Sequence, residues 1–155
     1  MSATRYLLDE HVDPTLRAQL SRHEPDLTVW IIGDPGGPQC GALDPDVLLW
    51  CEANGFSLVT NNRKSMAVHL RDHLAAGHHV PGMFVLNPNM TMGATIEELR
   101  LIWGASEPEE YRDLLLVDGK GFISKRLPAA SAGNAERQQN TRWSKIRGRV
   151  LHCSR

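Results

Sequence analysis

Near the N-terminus an apolar run, Tyr6-Leu7-Leu8, stops on two consecutive carboxylates, Asp9 and Glu10, and after His11-Val12 the chain meets Asp13-Pro14. A buried strand that hands an acid to its carboxyl end, followed at once by a helix start, is the opening move of an open α/β sheet. In such sheets ligands bind in the crevice beyond the strand ends. Asp9 is therefore the first candidate functional residue, and a polar strand-to-helix turn is the plain structural alternative for Asp9 and Glu10.

The rest of the chain repeats that alternation. Asp13-Pro14 predicts an N-cap with proline at the first helical position, and Val12, Leu16 and Leu20 recur at helical spacing to about Arg22. Leu27-Thr28-Val29-Trp30-Ile31-Ile32 reads as a second buried strand. The loop Gly33-Asp34-Pro35-Gly36-Gly37-Pro38 has glycines but lacks the lysine and spacing of a phosphate loop. Asp44-Pro45 repeats the cap-plus-proline signature, with Asp44 as N-cap, Asp46 in the first turn, and Val47, Leu48 and Cys51 as the apolar face of a helix ending near Asn54-Gly55.

Phe56-Ser57-Leu58-Val59-Thr60 predicts a third strand running into Asn61-Asn62-Arg63-Lys64-Ser65, and Met66, Leu70 and Leu74 mark a helix that closes at Gly77. His69 and His73 lie beside that stripe at i,i+4, a spacing at which two histidines can share a metal. No acid motif such as H-E-x-x-H accompanies them, so they read as a polar flank of the core. Val80 to Leu86 supplies a fourth strand, and Thr95-Ile96-Glu97-Glu98 reads as a capping box for a helix through Leu99 and Trp103. Ser106-Glu107-Pro108-Glu109 suits one short turn before an edge strand at Leu114 to Val117. The expected fold is a three-layer α/β/α sandwich with a mainly parallel central sheet.

The 155 residues, 41% of them hydrophobic, suffice for one domain with a core of its own. Cys40, Cys51 and Cys153 form no C-x-x-C pair, which predicts reduced thiols or buried small hydrophobes in place of a disulfide framework or sulfur-bound metal. No basic-then-apolar leader and no run of about 18 apolar residues is present, so a cytoplasmic protein with no membrane partner is expected. The net charge of −1 hides an asymmetry: residues 1–130 hold 11 Lys+Arg against 17 Asp+Glu, and residues 131–155 hold 6 against 1. Residues 1–128 are expected to form the domain and residues 129–155 a basic, disordered tail, whose Arg137, Arg142, Lys145, Arg147 and Arg149 offer salt-sensitive phosphate contacts. Of the four tryptophans, Trp30, Trp50 and Trp103 sit in core-like elements and Trp143 in the tail. Burial accounts for the first three better than a protein-interaction face.

Three strand ends should therefore share one crevice, bringing Asp9 and Glu10, the loop to Asp44 and Asp46, and Thr60, Asn61 and Asn62 to one edge. Converging carboxylates suit a hard cation, Mg²⁺ or Mn²⁺, of the kind that assists phosphodiester cleavage.

The ordered blocks Leu7-Leu8-Asp9-Glu10, Asp44-Pro45-Asp46-Val47-Leu48, Leu58-Val59-Thr60-Asn61-Asn62 and Val80-Pro81-Gly82-Met83-Phe84-Val85-Leu86 resemble the DUF5615 PIN-like family over residues 5–105. The resemblance implies a PIN-like fold, a metal-dependent ribonuclease ancestry and, for many relatives, the toxin half of a toxin–antitoxin pair held by a small DNA-binding antitoxin. It also implies dimerisation in many relatives. By position, Asp9 would be the first metal ligand, Asp46 the second acid, and Thr60 the strand-end hydroxyl before a third acid. That third position, an aspartate in a T-x-D-like motif of relatives, is Asn62 here, and an amide coordinates without contributing charge.

Two functions follow. In the first, Asp9 and Asp46 bind the ion, Glu10 or Asp44 assists through water, Thr60 and Asn62 position phosphate or water with Asn61 beside them, and Arg63 and Lys64 either neutralise the remaining acids or meet RNA phosphates. In the second, the chain is a catalytically impaired module that binds RNA or a partner protein without cutting.

Overall fold

A computed structural model describes residues 4–105 and 107–117, so the proposed tail and its tryptophan lie outside the described residues. Five strands form one all-parallel sheet: β1 (Tyr6–Leu8), β2 (Val29–Ile31), β3 (Ser57–Thr60), β4 (Met83–Val85) and β5 (Leu115–Val117). Their order is β2-β1-β3-β4-β5, with Leu7 opposite both Trp30 and Leu58, and Val59 opposite Phe84. β1 is thus flanked on both sides. It is apolar on both faces because both are covered, as parallel strands require.

Alternate strand residues point into two separate cores. Tyr6, Leu8, Val59, Phe84 and Leu116 pack with Leu16 and Leu20 of α1 (Thr15–His23) and Leu99 and Ile102 of α4 (Met92–Ala105). Leu7, Leu58, Met83, Val85 and Leu115 pack with Val47, Leu48 and Cys51 of α2 (Asp44–Asn54) and Met66 and Leu70 of α3 (Arg63–Ala75). That is the three-layer α/β/α arrangement expected from the sequence. The first core carries one internal polar tie: the Tyr6 hydroxyl donates to the Leu99 carbonyl across 2.8 Å. Burial pushes that phenol well above its ordinary pKa.

Helix ends follow local chemistry, with three departures from expectation. The Asp13 carboxylate accepts the Thr15 N–H at 2.9 Å in the turn leading into α1, but Pro14, not Asp13, is the N-cap and Thr15 the first helical residue. At α2 the Val47 N–H reaches the Leu43 carbonyl at 3.0 Å, so Leu43 is the extended N-cap and Asp44 the first helical residue, its carboxylate free to bond elsewhere. α4 begins a turn earlier than the Thr95 capping box suggests. Thr91 is its cap, accepting the Ala94 N–H at 3.1 Å, and Thr95 is buried inside the helix. α2 stops where predicted, at Gly55, whose φ of 72° places it in the left-handed region that glycine adopts without strain.

Trp30, Trp50 and Trp103 are half-buried, less enclosed than expected. Trp30 and Trp50 lean on Phe56 at ring separations of 5.0 Å, under the Arg5 guanidinium at 4.7 Å from the Phe56 ring. This aromatic group seals the margin of the second core. Cys51 is buried in that core and its thiol is pushed up to about 12 by burial, whereas Cys40 is exposed. No described helix is long and apolar enough to cross a membrane.

Candidate functional site

In the order β2-β1-β3-β4-β5 the direction of winding reverses between β1 and β3, and the crevice of such a sheet opens beyond the carboxyl ends of those two strands. Asp9 and Thr60 stand there. The Asp9 N–H bonds the Val59 carbonyl at 2.9 Å, which extends the ladder by one residue and fixes where the side chain leaves the sheet. Its carboxylate is buried, at 7% exposure, yet both oxygens are engaged: Oδ2 accepts the Thr60 hydroxyl at 2.8 Å and Oδ1 accepts the Glu10 N–H at 2.8 Å. A buried carboxylate needs such donors.

Thr60, wholly buried, relays the arrangement onward, its Oγ1 accepting the Asn62 N–H at 3.1 Å. Asn62 is the N-cap of α3. Its Oδ1 accepts the Ser65 N–H at 3.4 Å and its Nδ2 donates to Ser65 Oγ at 2.6 Å. Ser65 Oγ in turn donates to Asp44 Oδ2 at 3.4 Å, and His69 Nε2 lies 3.5 Å from the same oxygen. One chain of hydrogen bonds therefore runs Asp9–Thr60–Asn62–Ser65–Asp44 across the ends of β1, β3, α2 and α3, with the His69 imidazole beside its last acid.

The remaining predicted residues border this chain. Glu10 Oε2 accepts the Gly41 N–H at 3.1 Å and ties the β2–α2 loop to the end of β1. Asn61 Nδ2 donates to the His11 carbonyl at 3.0 Å, closing the other side of the mouth. Asp46 stands exposed on the first turn of α2, outside the chain of bonds, and Arg63 and Lys64 are exposed on the first turn of α3. Among the described residues, no three carboxylates of this edge converge within the reach of one ion.

Ser65 and His69 were not assigned to this edge from the sequence. Their signal is an i,i+4 pair on α3 whose partner, Asp44, lies on another helix. His69 and His73 do not share a site, contrary to what their spacing permits. His73 is buried at the far end of α3 with Nε2 3.3 Å from Glu52 Oε2, and His78 Nδ1 is 3.1 Å from that oxygen. Glu52, His73 and His78 thus form a group able to hold a metal ion, at the amino edge of the sheet. The His79 N–H, bonded to Glu52 Oε1 at 3.0 Å, and then the neighbouring His78 and His73 rings hold the Glu52 carboxyl below its ordinary pKa.

No protein-family model matches this chain, and no curated protein or solved structure is significantly similar to it. What the carboxyl edge can do must come from its own atoms. It gathers one buried, oriented carboxylate, the further acids Glu10, Asp44 and Asp46, and the exposed cations Arg63 and Lys64, with Thr60, Asn61 and Asn62 committed to bonds that hold the edge in shape.

Proposed function

We propose that this chain is a PIN-like, metal-dependent ribonuclease whose reaction centre is built around Asp9. The observation that carries the reading is the buried Asp9 carboxylate at the switch point of the sheet, clamped by the Thr60 hydroxyl at 2.8 Å. A hard cation of the Mg²⁺ or Mn²⁺ type is held by one or two carboxylates with water and substrate phosphate oxygens completing its sphere. Asp9 fits that role, with Asp46 as the second acid brought in by substrate. Such an ion, when bound, activates water and stabilises the leaving oxygen.

The chain's own residues do the rest. Thr60 holds Asp9 in one orientation, Glu10 and Asn61 brace the mouth, and Asp44 is poised through Ser65 to take a proton from water near the phosphate. Arg63 and Lys64, beside the N-terminus of α3, meet the RNA backbone. In this reading a small DNA-binding antitoxin is the natural partner.

One observation favours the second reading, a module that binds RNA or a partner protein without cutting. Both polar atoms of the Asn62 side chain are engaged with Ser65, so the position where relatives of the PIN type carry their third acid serves here to cap α3.

A cleavage assay on single-stranded and structured RNA with Mn²⁺ separates the two, comparing the parent with Asp9→Asn and Asn62→Asp. Cleavage by the parent that Asp9→Asn abolishes is the expected result. A silent parent with an active Asn62→Asp would mean a lost ligand, and silence in both would mean that more than one position of the reaction centre has drifted.

A further inference from the structure

We propose that Glu52, His73 and His78 form a Zn²⁺ site at the amino edge of the sheet. Glu52 lies in the last turn of α2, His73 in the last turn of α3, and His78 in the turn just after Gly77. These three segments lie at the opposite end of the α2–α3 layer from Asp9, and the proposal does not depend on the reading of that edge.

The spacing of the donor atoms is the first argument. Bonds of 2.0–2.1 Å to a tetrahedral Zn²⁺ set neighbouring donors about 3.3 Å apart. Here Glu52 Oε2 is 3.3 Å from His73 Nε2 and 3.1 Å from His78 Nδ1, and all three donors lie within 4.8 Å of one another. An ordinary surface ion pair joins one acid to one base. This arrangement aims two imidazoles at a single carboxylate oxygen, with their rings stacked at 4.8 Å and 25°.

Orientation is the second argument. The side chain of His73 is only 5% exposed, so its ring is fixed by the packing around it. Glu52 is fixed through its other oxygen, which accepts the His79 N–H at 3.0 Å. Partners of this kind are what orient metal ligands and tune their basicity. The His79 carbonyl lies 3.1 Å from His73 Nε2 and accepts that nitrogen's N–H when no ion is present; to ligate an ion through Nε2 the neutral ring carries its one proton on Nδ1 instead.

The donor set narrows the metal. Two imidazoles and one carboxylate suit a borderline divalent ion, of which redox-inert Zn²⁺ at tetrahedral spacing matches the donor distances, and not Mg²⁺, which takes oxygen ligands. Glu52 and His78 are 31% and 46% exposed, so the fourth position faces solvent and takes water or an external ligand. A cleft of about 310 Å³, lined by Glu52, His79, Val80, Pro81, Glu109 and Arg112, opens beside it and leaves room for that ligand.

The test is zinc binding by the full-length chain in competition with a chromophoric chelator, backed by the visible spectrum of the Co²⁺-loaded protein. One equivalent of tightly bound zinc is expected in the parent. His78→Ala and Glu52→Gln, both at solvent-reached positions, should each weaken it at least about 100-fold, beyond what loss of an outer-shell partner costs, and should change the Co²⁺ bands. Asp9→Asn should leave zinc affinity unaltered, and circular dichroism checks that each variant is folded. Absence of saturable binding in the parent overturns the proposal. So does equal affinity in the parent, His78→Ala and Glu52→Gln, which would place the ion elsewhere, for instance on His152 and Cys153.

Discussion

At the amino-terminal end of α2, Asp44 faces Ser65 and His69 of α3 across 3.4 and 3.5 Å; eight residues further along the same helix, Glu52 faces His73 and His78 across 3.3 and 3.1 Å. At the helical rise the two acids are about 12 Å apart on one seam. Each end pairs one α2 acid with α3 chemistry, yet the surroundings differ. At the carboxyl edge the acids are met by hydroxyls and backbone N–H groups, with a single imidazole, His69, beside Asp44, an environment that orients a carboxylate while leaving it hard and oxygen-rich. At the amino edge one carboxylate is met by two imidazoles, which makes a borderline, nitrogen-containing site. The same pair of helices therefore offers two different ligand chemistries, kept apart by the length of α2 between Asp44 and Glu52.

The seam they share is the most direct way to break that distinction. Leu70 is wholly buried between the two ends, in the cluster that includes Leu48, Cys51 and Met66. Leu70→Ala removes packing that both ends rely on and leaves a cavity, which costs about 2–5 kcal/mol. Urea unfolding should register the loss, and zinc affinity at the amino edge should fall with it. Full stability in the variant would mean that α3 is held by something other than this seam.

A second change should separate the ends. Thr60 is fully buried and serves two neighbours, donating to Asp9 and accepting from Asn62. Thr60→Val keeps the shape but leaves a buried carboxylate oxygen without its donor and the Asn62 N–H without its acceptor, a cost of about 1–3 kcal/mol. Thermal unfolding measures that cost. Zinc binding at Glu52, His73 and His78 should not move, because no bond in that group passes through Thr60. A simultaneous loss at both edges would show that the two sites are coupled through the sheet.

How much of this could be read from the chain depends on how far apart the interacting residues lie. Leu58-Val59 and Met83-Phe84-Val85 were legible as strands because both faces of a parallel sheet are buried and the run is continuously apolar. Asn54-Gly55 announced the end of α2 because a left-handed C-terminal residue is a local demand. The start of α4 was misplaced because Thr91-Met92-Gly93-Ala94 has a capping hydroxyl but no acid three residues on, while Thr95 to Glu98 imitates a capping box from inside the helix. Asp9 was legible as an acid at a strand end. Its bond to Thr60, and the Asp44–Ser65–His69 contact, join segments far apart in the chain, and no local pattern encodes them. The histidine cluster escaped for the same reason: His73 and His78 sit five apart, and their acid is on the preceding helix.

The smallest expected effect sharpens the contrast between the acids of the two edges. Asp13, on the carboxyl-edge turn that follows β1, is exposed and bonded to the Thr15 N–H at 2.9 Å. That backbone bond, and after it the Thr15 hydroxyl, holds the Asp13 carboxyl below its ordinary pKa, with no imidazole among the causes, whereas His78 and His73 contribute at Glu52. The ionised form is thus favoured by folding. Its contribution to stability is complete above the unfolded value of about 3.9 and disappears as the pH falls through the lower folded value. Asn at this position still accepts the Thr15 N–H but does not titrate. The difference in melting temperature between the parent and Asp13→Asn should therefore be small and constant from neutral pH down to about 5, and should narrow below about 4. If the difference grew with acidification instead, the folded carboxyl would have to sit above its unfolded pKa, and the donors at Thr15 would not be what holds it.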